Sequence, residues 1–190
     1  MRLANEQYEE IKRTVIDTFL EYDIKCIPIN AFEAAMKMGI TIIPYSALRE
    51  EKRDASLKLS RDGYSLEDND TGEWVIYYND ACKNYGRINQ TIMHEIGHYA
   101  MEHTKDGEEE EAEAKFFAKY ALAPPPLVHT LLSKIKPETI MKSFDISWEA
   151  AKNAYWYYKT WLYNGEREYT DYEEKIIDLF AEGQNLIAHV

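Results

Sequence analysis

The chain has 190 residues, of which 34 are acidic and 22 are basic, so its formal net charge is −12. This length fits one domain of ordinary size, and the negative charge argues against direct binding to nucleic acid or to an anionic membrane. No stretch approaches the roughly 20 apolar residues that a membrane span needs. The two cysteines, Cys26 and Cys82, form no disulfide framework, which favours a cytoplasmic protein.

The first 43 residues indicate two helices followed by a strand. Residues 5–22 carry apolar side chains at helical spacing, which predicts an amphipathic helix. A second helix is expected over residues 30–38, because Gly39 is a good helix stop. The β-branched run at 40–43 then predicts a strand.

The pattern changes to β between residues 56 and 80. Asp62-Gly63 lies between the runs SLKLS and YSLED, which predicts a hairpin turn, and residues 73–78 form the strongest strand pattern of the chain. From residue 87 onward the sequence is mainly helical. The order of these elements predicts an α+β fold with a small antiparallel or mixed sheet and a mostly helical C-terminal half.

One segment of the helical half carries a pattern with chemical meaning, the H-E-x-x-H of His94, Glu95 and His98. Residues four apart lie on the same face of a helix, so both imidazoles can reach one zinc ion. Glu95 lies about 100° round the helix, where a carboxylate can take a proton from water beside the metal. His103 is nine residues beyond His94 and cannot join this face unless the helix has already ended.

A catalytic zinc site needs a third protein ligand, and the next helix offers a run of glutamates. Glu113 is aligned with the apolar stripe of that helix, and a carboxylate there is costly to bury unless a positive group receives it. We therefore expect Glu113 to be the third ligand, with Glu109 and Glu110 as alternatives one turn earlier. Glu108 and Glu111 are expected to face solvent at the helix start.

These residues resemble the ImmA/IrrE family of metallo-endopeptidases, whose hallmark is HExGH followed by E-x-E-A-x-x-F-A-x-x-L-L-x-P. After the HEIGH segment, the chain matches this hallmark at Glu111, Glu113, Ala114, Phe117, Ala118, Leu122 and Pro124. It departs from it at Lys115 and Ala121, which concern packing more than metal ligation. The resemblance implies a zincin-like fold and a gluzincin-like zinc site, with the glutamate before the Ala-x-x-Phe-Ala unit, Glu113, as the third ligand.

The resemblance also frames the domain organisation. We expect one metallopeptidase domain over residues 1–190. Its parts are an N-terminal helix at 1–23, a zincin core at 24–125 and a helical C-terminal subdomain at 126–190.

The function implied by the resemblance is that of a zinc-dependent endopeptidase, a regulatory protease that acts on a helix-turn-helix repressor of a phage or mobile element. In this hypothesis Glu95 is the general base, and strand 74–78 pairs with an extended substrate. The alternative is a non-catalytic, metal-containing binding module that sequesters a regulator without cutting it. An intact Glu95 favours the enzyme.

Overall fold

A computed structural model of the chain describes residues 2–68, 71–105, 107–164 and 168–187. The described part is α+β and mostly helical with one small mixed sheet, so the predicted fold class is confirmed at this level. In chain order, the elements are α1 (Asn5–Glu21), α2 (Ala31–Lys37), β1 (Thr41–Pro44), α3 (Glu50–Leu59), β2 (Gly63–Glu67), β3 (Trp74–Tyr78), α4 (Tyr85–Ala100), α5 (Glu108–Leu122), α6 (Pro125–Leu131), α7 (Pro137–Phe144), α8 (Trp148–Asn164) and α9 (Asp171–Ile187). Within these ranges no helix is long and apolar enough to cross a bilayer.

The predicted division of the chain after residues 23 and 125 stays a prediction. Its outer limits, residues 1 and 190, lie outside the described residues.

The sheet has the strand order β1-β3-β2, with β3 in the centre. β3 pairs in parallel with β1, where Val75 lies opposite Thr41, and antiparallel with β2, where Tyr78 lies opposite Gly63. Both edges of β3 are therefore occupied, and the expectation that strand 74–78 receives a substrate strand is wrong. Over the described ranges β2 pairs with β3 alone, so β2 is the edge strand on that side.

The hairpin predicted at Asp62-Gly63 is also wrong, because the preceding run SLKLS belongs to the end of α3. The first serine of this run, Ser56, is 3% exposed, whereas Leu57 and Leu59 are 40% and 70% exposed. A strand with its leucines facing the core would show the reverse pattern of exposure. The hairpin of this sheet instead joins β2 to β3. Gly63 starts β2 where a Cβ atom would lie 2.8 Å from the carbonyl oxygen of Tyr77, so the chain needs a glycine for close approach.

The second helix and its boundaries follow the sequence prediction closely. Asn30 caps α2, since its side chain accepts hydrogen bonds from the backbone N–H groups of Phe32 and Glu33. Gly39 follows with a φ of +73°, the left-handed conformation that ends helices and favours glycine. Asn30 therefore fixes the start of α2, and Gly39 ends it in time for β1 to begin at Thr41.

Helix α4 lies inside the molecule and contacts different elements on its different faces. On one side the buried Asn89 accepts from the backbone N–H of Ala31 at 2.7 Å and donates to the carbonyl of Ile29 at 3.0 Å. On another, Gly97 packs against Phe117 of α5, whose ring would lie 3.1 Å from an added Cβ. These contacts place α4 between the start of α2 and α5, and the absence of a side chain at Gly97 lets α4 and α5 pack closely.

Candidate metal centre

Three side chains from α4 and α5 converge at one place. His94 and His98 are one turn apart on α4, and their Nε2 atoms lie 3.2 Å from each other. Glu111, in the first turn of α5, approaches both rings: its Oε1 lies 3.3 Å from His98 Nε2 and its Oε2 lies 3.6 Å from His94 Nε2. The close contact of α4 with α5 at Gly97 is what allows a side chain of one helix to meet two of the other.

The spacing of these atoms fits a tetrahedral zinc site. Zinc binds imidazole nitrogen and carboxylate oxygen at about 2.0–2.2 Å, and two ligands of a tetrahedron then lie about 3.3–3.6 Å apart. The two Nε2 atoms, 3.2 Å apart, and the pair His98 Nε2 and Glu111 Oε1, 3.3 Å apart, are close to that range, and the second carboxylate oxygen, Oε2, lies 3.6 Å from His94 Nε2. Two imidazoles and one carboxylate also leave a fourth tetrahedral position open, as catalytic zinc sites do. The residues present therefore fit the metal.

Glu113, the predicted third ligand, lies elsewhere. Its Oε2 is 3.0 Å from His103 Nε2, and its Oε1 accepts a hydrogen bond of 3.0 Å from the Nε2 of Gln7 in α1. The prediction that Glu113 faces inward agrees with its 15% side-chain exposure. The group that it meets, however, is His103, in the turn that follows α4. Glu111 occupies the place expected for Glu113, and the expectation that Glu111 faces only solvent needs correction.

The two alternatives, Glu109 and Glu110, are not brought to the histidine pair either. Glu109 accepts a 2.6 Å hydrogen bond from Gln7 Nε2, and Glu110 lies 3.3 Å from Lys105 Nζ. Both carboxylates thus contact residues other than the histidine pair: Gln7 of α1 and Lys105, which precedes α5.

A signal for Glu111 was present in the sequence as a second stripe of α5. Glu111 stands at the head of three alanines at helical spacing, Ala114, Ala118 and Ala121, all of which are buried. Small residues in one line let two helices approach closely, and Ala118 lines the cleft that contains His94. The aromatic stripe that indicated Glu113 points instead to the packing of α5 on α1, where Tyr8 contacts Phe116 at a ring distance of 4.6 Å.

The sequence places His103 near the metal-binding face only if α4 ends before it. In the structure α4 does end before His103. Helix α4 stops at Ala100, Glu102 adopts a φ of +54°, and the N–H of His103 donates to the carbonyl of His98 at 3.0 Å. This turn folds the His103 ring back onto that of His98, with the two Nδ1 atoms 2.9 Å apart. The sequence gives little warning, because such turns usually carry Gly or Asn at the left-handed position.

The electrostatics of the site favour a neutral imidazole at His94. Burial, together with the neighbouring His98, lowers the pKa of His94 to about 4, against the opposing effect of Glu111. A pKa below the ordinary value means that the ring is uncharged at neutral pH. A lone pair is then available for a metal ion, which protonated imidazole lacks.

Glu95 is placed beside the histidine pair, with its side chain turned to a different partner. It is 6% exposed, and its Oε2 accepts a 2.6 Å hydrogen bond from the hydroxyl of Ser65 in β2. Its position next to His94 and His98, on the wall of the same cleft, agrees with the predicted placement of a proton acceptor.

The cleft over the histidine pair has a volume of about 710 Å³ and is walled by β2, α4 and α5. Ser65 and Leu66 of β2 line it together with Glu111 of α5. A larger cavity of about 1250 Å³ lies against Tyr8, Phe116 and the C-terminal helices and contains none of the H-E-x-x-H residues. The smaller cleft is the one that holds the chemistry.

A comparison with known families agrees with this geometry. The Peptidase_M78 family model, described as an IrrE N-terminal-like domain, matches residues 35–154, a range that includes the whole sheet as well as α4 and α5. A comparison with curated proteins finds no match. The predicted resemblance to the ImmA/IrrE family is confirmed, and the peptidase family together with the His94-His98-Glu111 cluster indicates a metallopeptidase. The chain therefore belongs to the Peptidase_M78 family, with an IrrE N-terminal-like domain.

Proposed function

We propose that this protein is a zinc-dependent endopeptidase that hydrolyses peptide bonds of a protein substrate. The observation that carries the proposal is the close approach of His94, His98 and Glu111, whose nitrogen and oxygen atoms lie 3.2–3.6 Å from one another in the cleft that also contains Glu95. Membership of a peptidase family supports the same reaction class. In this proposal the domain has the zincin-like fold, with α4 as its active-site helix.

The three proposed zinc ligands are His94 Nε2, His98 Nε2 and the Glu111 carboxylate. When bound, zinc acts as a Lewis acid and lowers the pKa of a coordinated water toward ~7. The two rings supply neutral nitrogen donors and Glu111 one negative charge, a donor set that suits zinc better than magnesium or calcium.

Glu95 is the proposed general base. Its carboxylate accepts the proton of the attacking water and can pass it to the leaving amine, as a general base and acid in turn. Ser65 donates to one carboxylate oxygen, Oε2, which restrains the side chain. General acid–base groups of this kind contribute about 10²–10⁴-fold to a rate.

The edge strand β2 is the proposed docking line for the substrate. Gly63–Glu67 pairs with β3 on one side, and Tyr64, Ser65 and Leu66 line the cleft. An extended peptide can add to such an edge through main-chain hydrogen bonds. Because Ser65 touches Glu95, this placement brings a bound peptide close to the proposed base.

The proposed substrate is a helix-turn-helix repressor of a phage or mobile element, encoded near this protein and cut in the cytoplasm. The family resemblance supports this choice. The net charge of −12 is compatible with a basic, DNA-binding partner, since complementary charge steers association.

The test is cleavage of the purified neighbouring repressor by the full chain. We expect fragments with zinc, none with a chelator, and fragments again after zinc is restored. Glu95→Gln should bind zinc normally and cleave about 10²–10⁴-fold more slowly. The matched control is Glu108→Gln, which makes the same charge change at an exposed position of α5 and should cleave like the unaltered protein.

Two outcomes would overturn the proposal. Full cleavage by a zinc-loaded Glu95→Gln variant would remove Glu95 as the base. A stable complex with the repressor and no fragments under zinc-replete conditions would replace the enzyme with the binding module.

A further inference from the structure

A line of hydrogen-bonded side chains leads from the metal centre to the N-terminal helix. His98 Nδ1 lies 2.9 Å from His103 Nδ1, and His103 Nε2 lies 3.0 Å from Glu113 Oε2. The other carboxylate oxygen, Glu113 Oε1, accepts from Gln7 Nε2 at 3.0 Å. Gln7 is itself oriented, because its Oε1 accepts a 2.9 Å hydrogen bond from the backbone N–H of Ala4.

The direction of each hydrogen bond follows from the far end of this line. A carboxylate offers only acceptors, so His103 must donate from Nε2 to Glu113. The His103 tautomer with its proton on Nε2 presents a lone pair on Nδ1, which accepts from His98. His98 therefore bears its proton on Nδ1, which leaves the lone pair on Nε2, the atom that lies beside His94 Nε2 and Glu111 Oε1.

We propose that His103 and Glu113 are positioning residues that hold His98 in its metal-binding tautomer and ring orientation, with Gln7 anchoring the line to α1. This inference rests on the proposed zinc site. In this inference Glu113 is a positioning residue and not a metal ligand. Helix α1, which lies outside the family-matched residues 35–154, anchors the line through Gln7.

The burial of the line supports a role in binding. The side chains of His98, His103 and Glu113 are 9%, 7% and 15% exposed, whereas that of Glu111 is 44% exposed. Hydrogen bonds shielded from water hold their partners more firmly than exposed ones. Partners of this kind behind metal-binding histidines change metal affinity about 10–100-fold when they are removed.

The first experiment measures zinc affinity of the purified full chain by competition with a chromophoric chelator. His103→Leu removes both hydrogen bonds and should weaken zinc binding about 10–100-fold. His103→Gln should recover most of that loss, because its amide can accept from His98 and donate to Glu113. Zinc affinity equal to that of the unaltered protein in His103→Leu would overturn the proposal.

The matched control is His129→Leu, the same substitution at an exposed histidine of α6, which should leave zinc affinity unchanged. If His103→Leu does not fold, Glu113→Gln gives the same test with a nearly isosteric change, and an affinity equal to that of the unaltered protein would count against the line. Recovery by His103→Gln separates a hydrogen-bonding role from simple filling of space.

The second experiment observes the tautomer of His98 directly. In the metal-free protein, ¹⁵N NMR should find the proton of His98 on Nδ1, and His103→Leu should shift this ring toward a mixture of tautomers. A proton on Nε2 in the unaltered protein would overturn the proposal.

The two proposals fail in different ways. Cleavage of the repressor together with unchanged zinc binding in His103→Leu would remove the positioning line and leave the enzyme. Tight zinc binding with a marked loss in His103→Leu, but no cleavage by the unaltered protein, would keep the line and remove the enzyme.

Discussion

Two carboxylates of α5, only two residues apart, have opposite environments. Glu111 faces the cleft, where it lies 3.3 Å from His98 Nε2 and is 44% exposed. Glu113 faces away from the cleft, where it meets Gln7 of α1 and His103 of the turn after α4, and it is 15% exposed. Side chains of residues i and i+2 on a helix point in directions about 200° apart, so the two glutamates meet different partners.

The comparison shows that burial is a poor guide to which carboxylate of this helix meets the histidine pair. The more buried carboxylate is hydrogen-bonded to His103 and Gln7, while the more exposed one lies at the histidine pair. A catalytic metal must be reached by substrate, so its ligands lie at the border between core and solvent. Both glutamates are nevertheless linked to His98: Glu111 lies beside its Nε2, and Glu113 reaches its Nδ1 through the ring of His103.

The largest expected effect distinguishes the two glutamates by substitution. Glu111→Gln removes the charge of the proposed third zinc ligand and should weaken zinc binding by more than about 100-fold, whereas Glu113→Gln should weaken it about 10–100-fold. Both affinities are measured by chelator competition, with Glu108→Gln as the matched control. If Glu113→Gln were the more damaging change, the assignment of Glu111 as ligand would be wrong.

The second prediction concerns the close approach of α4 and α5. A Cβ at Gly97 would lie 3.1 Å from the fully buried Phe117 ring, so Gly97→Ala should lower the free energy of unfolding by about 1 kcal/mol despite its better helix propensity. Chemical denaturation measures this change. In a Phe117→Leu background, where space is available, the same substitution should stabilise, and a destabilisation there would contradict the contact as its cause.

A smaller effect is expected at Gln7, the residue of α1 that contacts Glu113. Gln7→Leu removes the hydrogen bonds to Glu109 and Glu113 and should cost about 0.5–1.5 kcal/mol of unfolding free energy. Zinc affinity should fall by less than about 10-fold, because His103 keeps its bond to Glu113. Glu10→Leu, at an exposed position of the same helix, is the control, and an equal loss there would argue against a specific role for Gln7.

The smallest effect is expected beside Glu111, at Lys115. Its Nζ lies 3.8 Å from Glu111 Oε2 on a side chain that is 65% exposed, so the ion pair is screened by water. Lys115→Ala should change the unfolding free energy by less than about 0.5 kcal/mol in denaturant titrations. A larger change would mean that the Glu111 side depends on this pair more than the exposure indicates.

Local features of the sequence predicted much of the fold and part of the site. Helix α2 and its stop at Gly39 follow from capping chemistry, and β3 follows from a run of β-branched and aromatic residues. The run SLKLS predicts a strand wrongly, because five alternating residues fit the end of a helix equally well. The role of β3 as central strand was also beyond the sequence, since strand order depends on pairing between distant segments.

The sequence by itself determined the pair His94 and His98 and the neighbouring Glu95, because their relative positions depend only on the geometry of one helix. It also determined that Glu113 faces inward. Tertiary structure alone decided that Glu111 meets the histidines and that Glu113 meets His103, since both contacts depend on how α5 packs on α4 and α1 and on the turn at Glu102. A helix fixes the directions of its own side chains, but only packing decides what lies in each direction.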